Sequence, residues 1–443
     1  MLRFGTDGVR GVANLELTAE VVLALGRAAA RVLPASRFVV GRDTRLSGPL
    51  LESALVAGLM AEGADVEVLG VAPTPAVAWI AARDGIAGAV VSASHNPFSD
   101  NGVKLFGPGG VKLDDEVEGA LEAELHSLLR HEVGASPLAG ADVGSIVDVP
   151  GQVTAWAASV AGSVGSTALT GMRLVVDCAN GAASAVAPDV LRGLGATVEV
   201  IHADPDGTNI NTSCGSTHPQ DLQAAVVEQG ADAGVAFDGD ADRVLLVDHA
   251  GALIDGDQII AVNAIDRHDR GLLAGDAVVV TVMTNLGFRR GMEARGIGVV
   301  EVPVGDRHVL EALSARGLEL GGEQSGHVIF ADLATTGDGL LTAVQTLDVV
   351  SRSGRSLSEL AESAMTRLPQ VLRNVGIRQA GTDVTTAIAD DIATAVAELG
   401  DAGRVLIRSS GTEPVVRVMV EAPTEQQANE IARRLAEAVA TLG

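Results

Sequence analysis

The chain has 443 residues and a formal net charge of −26, from 57 acidic and 31 basic side chains. That surplus repels nucleic acid and anionic membranes, and with 2% aromatics and no tyrosine the chain lacks the stacking platforms of single-strand binders. A hydrophobic content of 47% over this length predicts several domains with cores of Val, Leu and Ala. The beginning of the chain has no apolar signal core, and no apolar run is long enough to span a bilayer. The two cysteines, Cys178 and Cys214, could form at most one disulfide, so a reducing, cytoplasmic setting is expected.

In chain order, the first predicted strand is Phe38 to Val40, closed by the polar turn Gly41-Arg42-Asp43-Thr44-Arg45. A helix near Pro49 to Glu62, a strand from Asp65 to Leu69, a second helix and a strand from Gly88 to Val91 follow. That strand runs into Ser-Ala-Ser-His-Asn-Pro, residues 92 to 97. Small neighbours expose the Ser94 hydroxyl, Pro97 fixes the exit, and His95 offers a proton carrier or a phosphate hydrogen bond. There is no Gly-x-Ser-x-Gly elbow, so a hydrolase triad is not indicated. Only Lys104 and Lys112 are lysines; every other basic residue is arginine. A lysine can release a proton where an arginine effectively cannot, which singles out Lys104, nine residues after His95.

The pattern then repeats. Strand Arg173 to Val176 ends on Asp-Cys-Ala-Asn-Gly, and strand Thr197 to Ile201, helix Asp221 to Gln229 and strand Ala233 to Phe237 follow. The last delivers Asp238-Gly-Asp240-Ala-Asp242-Arg243. Three carboxylates spaced by the smallest residues can converge on one hard cation; Mg²⁺ fits, and the adjacent Arg243 suits a phosphoryl group. The alternative is an ordinary solvated acidic turn. A third copy runs from strand Ala277 to Val282 through Val299 to Val302 and a helix near His308 to Ser314. It ends on Gly-Gly-Glu323-Gln324-Ser325-Gly-His327, whose carboxylate, amide and hydroxyl suit sugar hydroxyls or an amine. Arg10, Arg42, Arg45 and Arg307 lie on Gly/Asp-rich loops, where arginines are ordinarily surface residues.

Strands alternating with helices predict βαβ units, whose ligands bind at the carboxyl ends of strands. All three polar loops fall there, so similar domains around a shared cleft are the economical reading. The fourth part differs: a strand near Arg373, helix Thr386 to Leu399, strands Arg404 to Ile407 and Val415 to Glu421, and helix Glu425 to Leu442 predict an α+β domain. Its loop Arg408-Ser409-Ser410-Gly411-Thr412 offers an anion nest with hydroxyls and a guanidinium, and Arg417 can reach the same anion. It lacks the Gly-Lys-Ser/Thr of a P-loop, and a plain hairpin turn is the alternative. The boundaries expected are 1–150, 151–252, 253–366 and 367–443.

Four motifs in this order, Ser-Ala-Ser-His-Asn-Pro, Asp-Gly-Asp-Ala-Asp-Arg, Gly-Glu-Gln-Ser-Gly-His and Arg-Ser-Ser-Gly-Thr-Glu-Pro, closely resemble the α-D-phosphohexomutase superfamily. The start Phe4-Gly-Thr-Asp-Gly-Val-Arg-Gly11, the segment Asn209 to His218 and Gln324 resemble its bacterial glucosamine-phosphate branch. His308 stands where that branch carries an aromatic ring, a mild departure. The resemblance implies four domains around a cleft and interconversion of glucosamine 6-phosphate and glucosamine 1-phosphate, for cell-wall precursors. It implies phosphate carried on Ser94, and Mg²⁺ held by Ser94, Asp238, Asp240 and Asp242. Arg243, Glu323, Gln324, Ser325, His327 and Arg417 would bind substrate, and the 408–412 loop would grip the non-reacting phosphate. Lys104 would manage the proton of the attacking hydroxyl, with Arg10 as alternate, and glucosamine (or glucose) 1,6-bisphosphate would be the intermediate or activator. The nearest alternative is a phosphomannomutase/phosphoglucomutase. A phosphatase using Asp-x-Asp leaves Ser94 without a role, and a non-catalytic sugar-phosphate-binding regulator leaves the whole set unused. The sequence leaves monomer or homodimer open.

Overall fold

The computed structural model describes residues 8–130, 138–377, 384–409 and 415–442. The chain forms two compact units. The first takes in Met1–Val282 and Ile297–Glu362 and holds three sheets. Its seven-stranded sheet runs Val9–Val12, Asp100–Gly107, Ala87–Val91, Arg37–Arg42, Asp65–Val71, Ile146–Asp148, with the short Val111–Lys112 pairing on Asp100–Gly107. Pairing is parallel from Ala87–Val91 to Ile146–Asp148 and antiparallel where Asp100–Gly107 joins. Strand Ala87–Val91 is buried along its whole length, as an apolar run covered on both faces must be. Helices Ala19–Val32, Gly48–Ala61 and Asp115–Leu129 supply much of one core with Leu25, Leu51, Leu55 and Leu121.

The second sheet has five strands in the order Leu253–Ile254, Val244–Asp248, Ala233–Phe237, Arg173–Asp177, Thr197–Ile201. Ala233–Phe237 is again wholly buried, parallel to Arg173–Asp177 and antiparallel to Val244–Asp248. The third has four, Gly298–Val302, Ala277–Thr281, Leu320–Gly322 and Val328–Phe330. Helix Gly256–Asp269 starts on a capping box between Asp255 and Gln258, which satisfies two end groups of the backbone. Helix Gly339–Ser353 is capped by Asp338, whose carboxylate also accepts from the buried Trp156 indole at 3.1 Å.

The second unit comprises Met283–Gly296 and Ser363–Gly443. Its antiparallel sheet is Gln370–Gly376, Val415–Glu421, Arg404–Ser409, packed with helices Ala389–Leu399 and Glu425–Ala440 around Val418, Val420, Ile431 and Leu435. Helix Leu286–Glu293 belongs to it: Glu421, wholly buried, accepts from Leu286 N at 2.9 Å and pairs with Arg404. The α/β class and a C-terminal α+β part are thus as the sequence predicts, and the sheets of the first unit are mixed. Among the described residues no helix is long and apolar enough to cross a membrane.

Candidate active site

In the first unit, the loops that follow strands Ala87–Val91 and Ala233–Phe237 meet. Strand Ala87–Val91 delivers Ser94, and strand Ala233–Phe237 delivers Asp238, Asp240 and Asp242. The Ser94 hydroxyl donates to Asp238 Oδ2 at 2.5 Å and lies 3.4 Å from His95 Nδ1. Ser94 holds φ 53°, a left-handed conformation that a non-glycine residue adopts only when its surroundings impose it. Gly239 explains how the loops come so close: a Cβ there would fall 2.7 Å from the Ser94 carbonyl oxygen and 2.8 Å from Asn211 Nδ2.

The surroundings that hold Ser94 are unusually complete. Arg45 is 1% exposed, against the surface position expected of a loop arginine. Its Nε pairs with buried Asp43 at 2.9 Å. Nη2 donates to the carbonyls of Ser94 and Asn96 at 2.9 and 2.8 Å, and Nη1 to those of Pro97 and, at 3.0 Å, Asp100. All five N–H groups of the guanidinium are used, four of them on one loop. Asn211 Nδ2 donates to the same Ser94 and Asn96 oxygens at 2.9 and 3.1 Å. Ser92 Oγ bridges Asp43 to the Ser94 N–H.

The three aspartates are buried, and an oxygen of each lies within 4.8 Å of the others. Asp240 Oδ2 accepts from Thr74 Oγ1 at 2.7 Å and from Lys104 Nζ at 2.8 Å; Lys104 also donates to Asp242 Oδ2 at 2.8 Å. Yet Asp240 Oδ1 and Asp242 Oδ1 are buried with no hydrogen-bond partner. Unsatisfied carboxylate oxygens are costly unless a cation takes them, so this donor set fits Mg²⁺, a hard ion that prefers oxygen. Charge is unevenly shared. Burial, then repulsion from Asp242 and Asp240, raises the Asp238 carboxyl well above the usual range. Burial also pushes Asp242 upward, but Lys104 and His327 outweigh it and hold that carboxyl well below. Burial, with Arg243 and Arg10 nearby, pushes His95 down to about 4.

Arg243 donates its backbone N–H to Asp238 Oδ1 at 3.2 Å, and its Nε lies 3.7 Å from Asp242 Oδ1. Arg10 is on strand Val9–Val12, opposite Gly102. His327 is 2% exposed and wedged between Asp242 and Asp306 at 3.8 and 3.4 Å, with Gly337 N–H donating to Nε2 at 3.2 Å. Glu323 accepts from Gly305 N at 3.1 Å, and the exposed Ser325 is 3.5 Å from it. The Gln324 carbonyl accepts from Gly256 N–H. In the second unit Arg408 and Arg417 face each other across the antiparallel pair of strands. Ser410, Gly411 and Thr412 lie outside the described residues, as does the Ser409 side chain. Thr74, Asp43 and Asn211 are contributors that motif reading passes over. The one sequence signal for Asp43 and Arg45 is the Gly-Arg-Asp-Thr-Arg turn directly after a buried strand.

With this geometry in view, the comparisons are unambiguous. Models of the phosphoglucomutase/phosphomannomutase family match in sequence order: α/β/α domain I over residues 1–131, domain II over 155–251, domain III over 255–368 and the C-terminal domain over 358–438. The chain belongs to this family, within the α-D-phosphohexomutase superfamily. It is 56% identical over 450 residues to a phosphoglucosamine mutase of Frankia alni, covering 98% of this chain and 97% of the relative. The structure of a phosphoglucomutase/phosphomannomutase family protein of Burkholderia thailandensis superposes with a TM-score of 0.83 at 26% identity, over 99% of this chain and 97% of the other. An Aspergillus fumigatus N-acetylphosphoglucosamine mutase, solved with GlcNAc-6P and magnesium, shares the fold at a TM-score of 0.70 and 20% identity, over 100% and 96% of the two chains.

Proposed function

We propose that the chain is a phosphoglucosamine mutase, which interconverts glucosamine 6-phosphate and glucosamine 1-phosphate through a phosphoserine at Ser94 and a bisphosphorylated sugar. The observation that supports this best is the 2.5 Å contact of Ser94 Oγ with the buried aspartate cluster, the arrangement expected of a phosphate-accepting hydroxyl beside a cation site. Asp238, Asp240 and Asp242, with an oxygen of the Ser94 phosphate, would hold Mg²⁺. When bound, the ion neutralises charge on the phosphoryl group as it moves. Arg243 adds a guanidinium beside it. Lys104, as the neutral amine, takes the proton of the attacking sugar hydroxyl and so becomes an ammonium, with Arg10 as an electrostatic helper. Glu323 pairs with the C2 amine, and Gln324 and Ser325 orient neighbouring hydroxyls. His327 steadies Asp242. Arg408 and Arg417, in register on adjacent strands, would bind the distal phosphate together with Ser409, Ser410, Gly411 and Thr412.

The product feeds UDP-N-acetylglucosamine and cell-wall synthesis. A cytoplasmic location suits two free, buried cysteines. The reading is tested by mass spectrometry of the purified protein and by side-by-side turnover. Phosphate is expected on the Ser94 peptide and absent in Ser94→Ala, which folds but loses mutase activity. Glucosamine 1-phosphate is expected to exceed glucose and mannose 1-phosphates in kcat/KM by about tenfold, the worth of one charge-assisted contact. Phosphate on another serine, with full activity in Ser94→Ala, would refute the mechanism. Equal use of mannose 1-phosphate would move the substrate to the phosphomannomutase branch.

A further inference from the structure

A second group of metal-ligating side chains lies in the first unit, outside the cluster just described. Asp177 ends strand Arg173–Asp177, His202 follows strand Thr197–Ile201, and Cys214 closes the loop that comes after. A carboxylate oxygen, an imidazole nitrogen and the sulfur all lie within 4.8 Å of one another. Asp177 and Cys214 are wholly buried, and His202 keeps 27% of its side chain exposed, which leaves one side open to water.

We propose that Asp177, His202 and Cys214 form a binding site for a borderline divalent transition metal, Zn²⁺ by chemical class, separate from the aspartate cluster and structural rather than catalytic.

Three observations carry it. The first is the donor set. Thiolate with imidazole selects borderline metals, whereas three carboxylates select Mg²⁺. Three protein ligands and a water would complete a tetrahedron.

The second is the aim of the imidazole. His202 Nδ1 is buried 3.1 Å from Asp177 Oδ2, within ion-pair reach but off the line of a well-directed hydrogen bond. A ring nitrogen that points beside a carboxylate rather than at it is the arrangement of two ligands of one ion. Two ligands each about 2.0–2.1 Å from a tetrahedral centre stand a little over 3 Å apart. Asp177 retains the capacity, since its oxygens accept one backbone N–H each, from Ala179 at 2.9 Å and Gly215 at 2.8 Å, and a carboxylate oxygen has two lone pairs. His202 holds φ 49°, a left-handed conformation that the loop imposes on a non-glycine residue.

The third is the far side of the ring. His202 Nε2 lies 3.4 Å from Asp221 Oδ2. This is ion-pair distance without a hydrogen bond; closing by a few tenths of an ångström would make Asp221 the carboxylate that usually fixes the tautomer of a metal-bound histidine and raises its basicity. Burial, and then the charge of Asp177, push the Cys214 thiol up to about 12, so the thiol keeps its proton until a metal competes for the sulfur. On binding, the ion replaces that proton, which leaves to water. The ion would pin the 202–214 loop, which carries Asn211 and its hydrogen bonds to the Ser94 and Asn96 carbonyls.

The test uses the full chain with saturating Mg²⁺ present, titrated with Co²⁺ as a spectroscopic stand-in for Zn²⁺. The expected result is one tightly held Co²⁺ per chain with tetrahedral ligand-field bands and a near-ultraviolet thiolate-to-cobalt absorption. Cys214→Ser, a near-isosteric change, should lose the thiolate band. His202→Gln should weaken binding by at least roughly tenfold, the low end for disturbing even an outer partner of a metal ligand. Zn²⁺ should raise the Tm of the Mg²⁺-saturated parent and not of either variant. The proposal is overturned if the parent shows no thiolate band, if excess Mg²⁺ displaces the Co²⁺, or if binding is unchanged in both variants. The first of these is read on the parent protein and does not depend on how the variants fold.

Discussion

Arg45 holds Ser94 from behind: Nη2 of the buried guanidinium donates to the Ser94 carbonyl oxygen at 2.9 Å, while the Ser94 hydroxyl faces Asp238 on the other side. The residue's left-handed backbone is therefore fixed through its carbonyl, and its hydroxyl is aimed as a consequence. Arg45→Lys keeps the charge but has three donors on a flexible stem in place of a five-donor fork. We expect this variant to fold, to keep KM nearly unchanged and to lose roughly 10²-fold in kcat, the cost of a misplaced reacting group. Arg45→Met also strands the buried Asp43 carboxylate and should cost roughly 3–5 kcal/mol of stability. Steady-state kinetics and urea denaturation check both; full kcat in folded Arg45→Lys would show that the brace is dispensable.

The aspartates should respond differently to removal. Asp240 accepts from Thr74 and Lys104, so Asp240→Ala should abolish Mg²⁺-dependent turnover and bring no gain in stability. Asp238 has a folded-state value raised by burial and by its two neighbours, so its contribution is present at low pH and lost as pH rises through that value. At neutral pH the ionised form is penalised, and Asp238→Asn removes the penalty. Its amide can donate to Ser94 Oγ and its carbonyl can keep the Arg243 N–H. The Tm of the metal-free protein should rise in Asp238→Asn while activity disappears. A fall in Tm would mean that the cluster repels itself less than its geometry implies.

Lys104 Nζ lies 2.8 Å from both Asp240 and Asp242, beside the proposed site of phosphoryl transfer. Lys104→Arg preserves the charge without the ability to titrate. Its kcat should fall by at least about 10²-fold, the low end for general acid–base catalysis, and the corresponding limb of the pH–rate profile should vanish. A variant with near-parental kcat and an intact profile would reduce the lysine to a charge.

His95 contributes to the pH dependence of stability. Its folded-state value is pushed from 6.5 down to about 4 by burial, then by Arg243 and Arg10. A base depressed in this way contributes stability above its unfolded value and loses that contribution as pH falls towards the folded one. Between these two values the metal-free, unphosphorylated protein should lose about 2 kcal/mol more than His95→Gln, a figure reduced for the ring's partial exposure. Urea midpoints measured across that window give the comparison, and parallel slopes for the two proteins would exclude the effect.

The strands that deliver Ser94 and Asp238 are readable in the sequence because a strand buried on both faces must be an unbroken apolar run, and such runs end abruptly in polar loops. What the sequence conceals is long-range pairing. Lys104 lies on strand Asp100–Gly107, opposite Val90, and meets carboxylates 136 and 138 residues downstream. That strand begins in Ser-Asp-Asn-Gly, which reads as a turn. Arg45 reads as a surface residue because nothing local shows that four carbonyls 49 to 55 residues away will close around it. Asn211 is hidden for the same reason, its partners being 115 and 117 residues upstream. Local pattern marks where loops begin; which side chains of other loops converge on them is decided by topology.

The contact between Trp156 and Asp338 has a use of its own. The chain has two tryptophans and no tyrosine, and Trp79 and Trp156 line the same small cavity beside Asp338 and Leu341. Intrinsic ultraviolet emission therefore originates almost entirely from one seam, where helix Thr74–Asp84, which carries Trp79, and helix Gly151–Gly162, which carries Trp156, meet the capped start of helix Gly339–Ser353. A fluorescence melting curve of this protein is a local measurement. It records the parting of these three helices, and its midpoint coincides with that of circular dichroism only if this seam opens together with everything else.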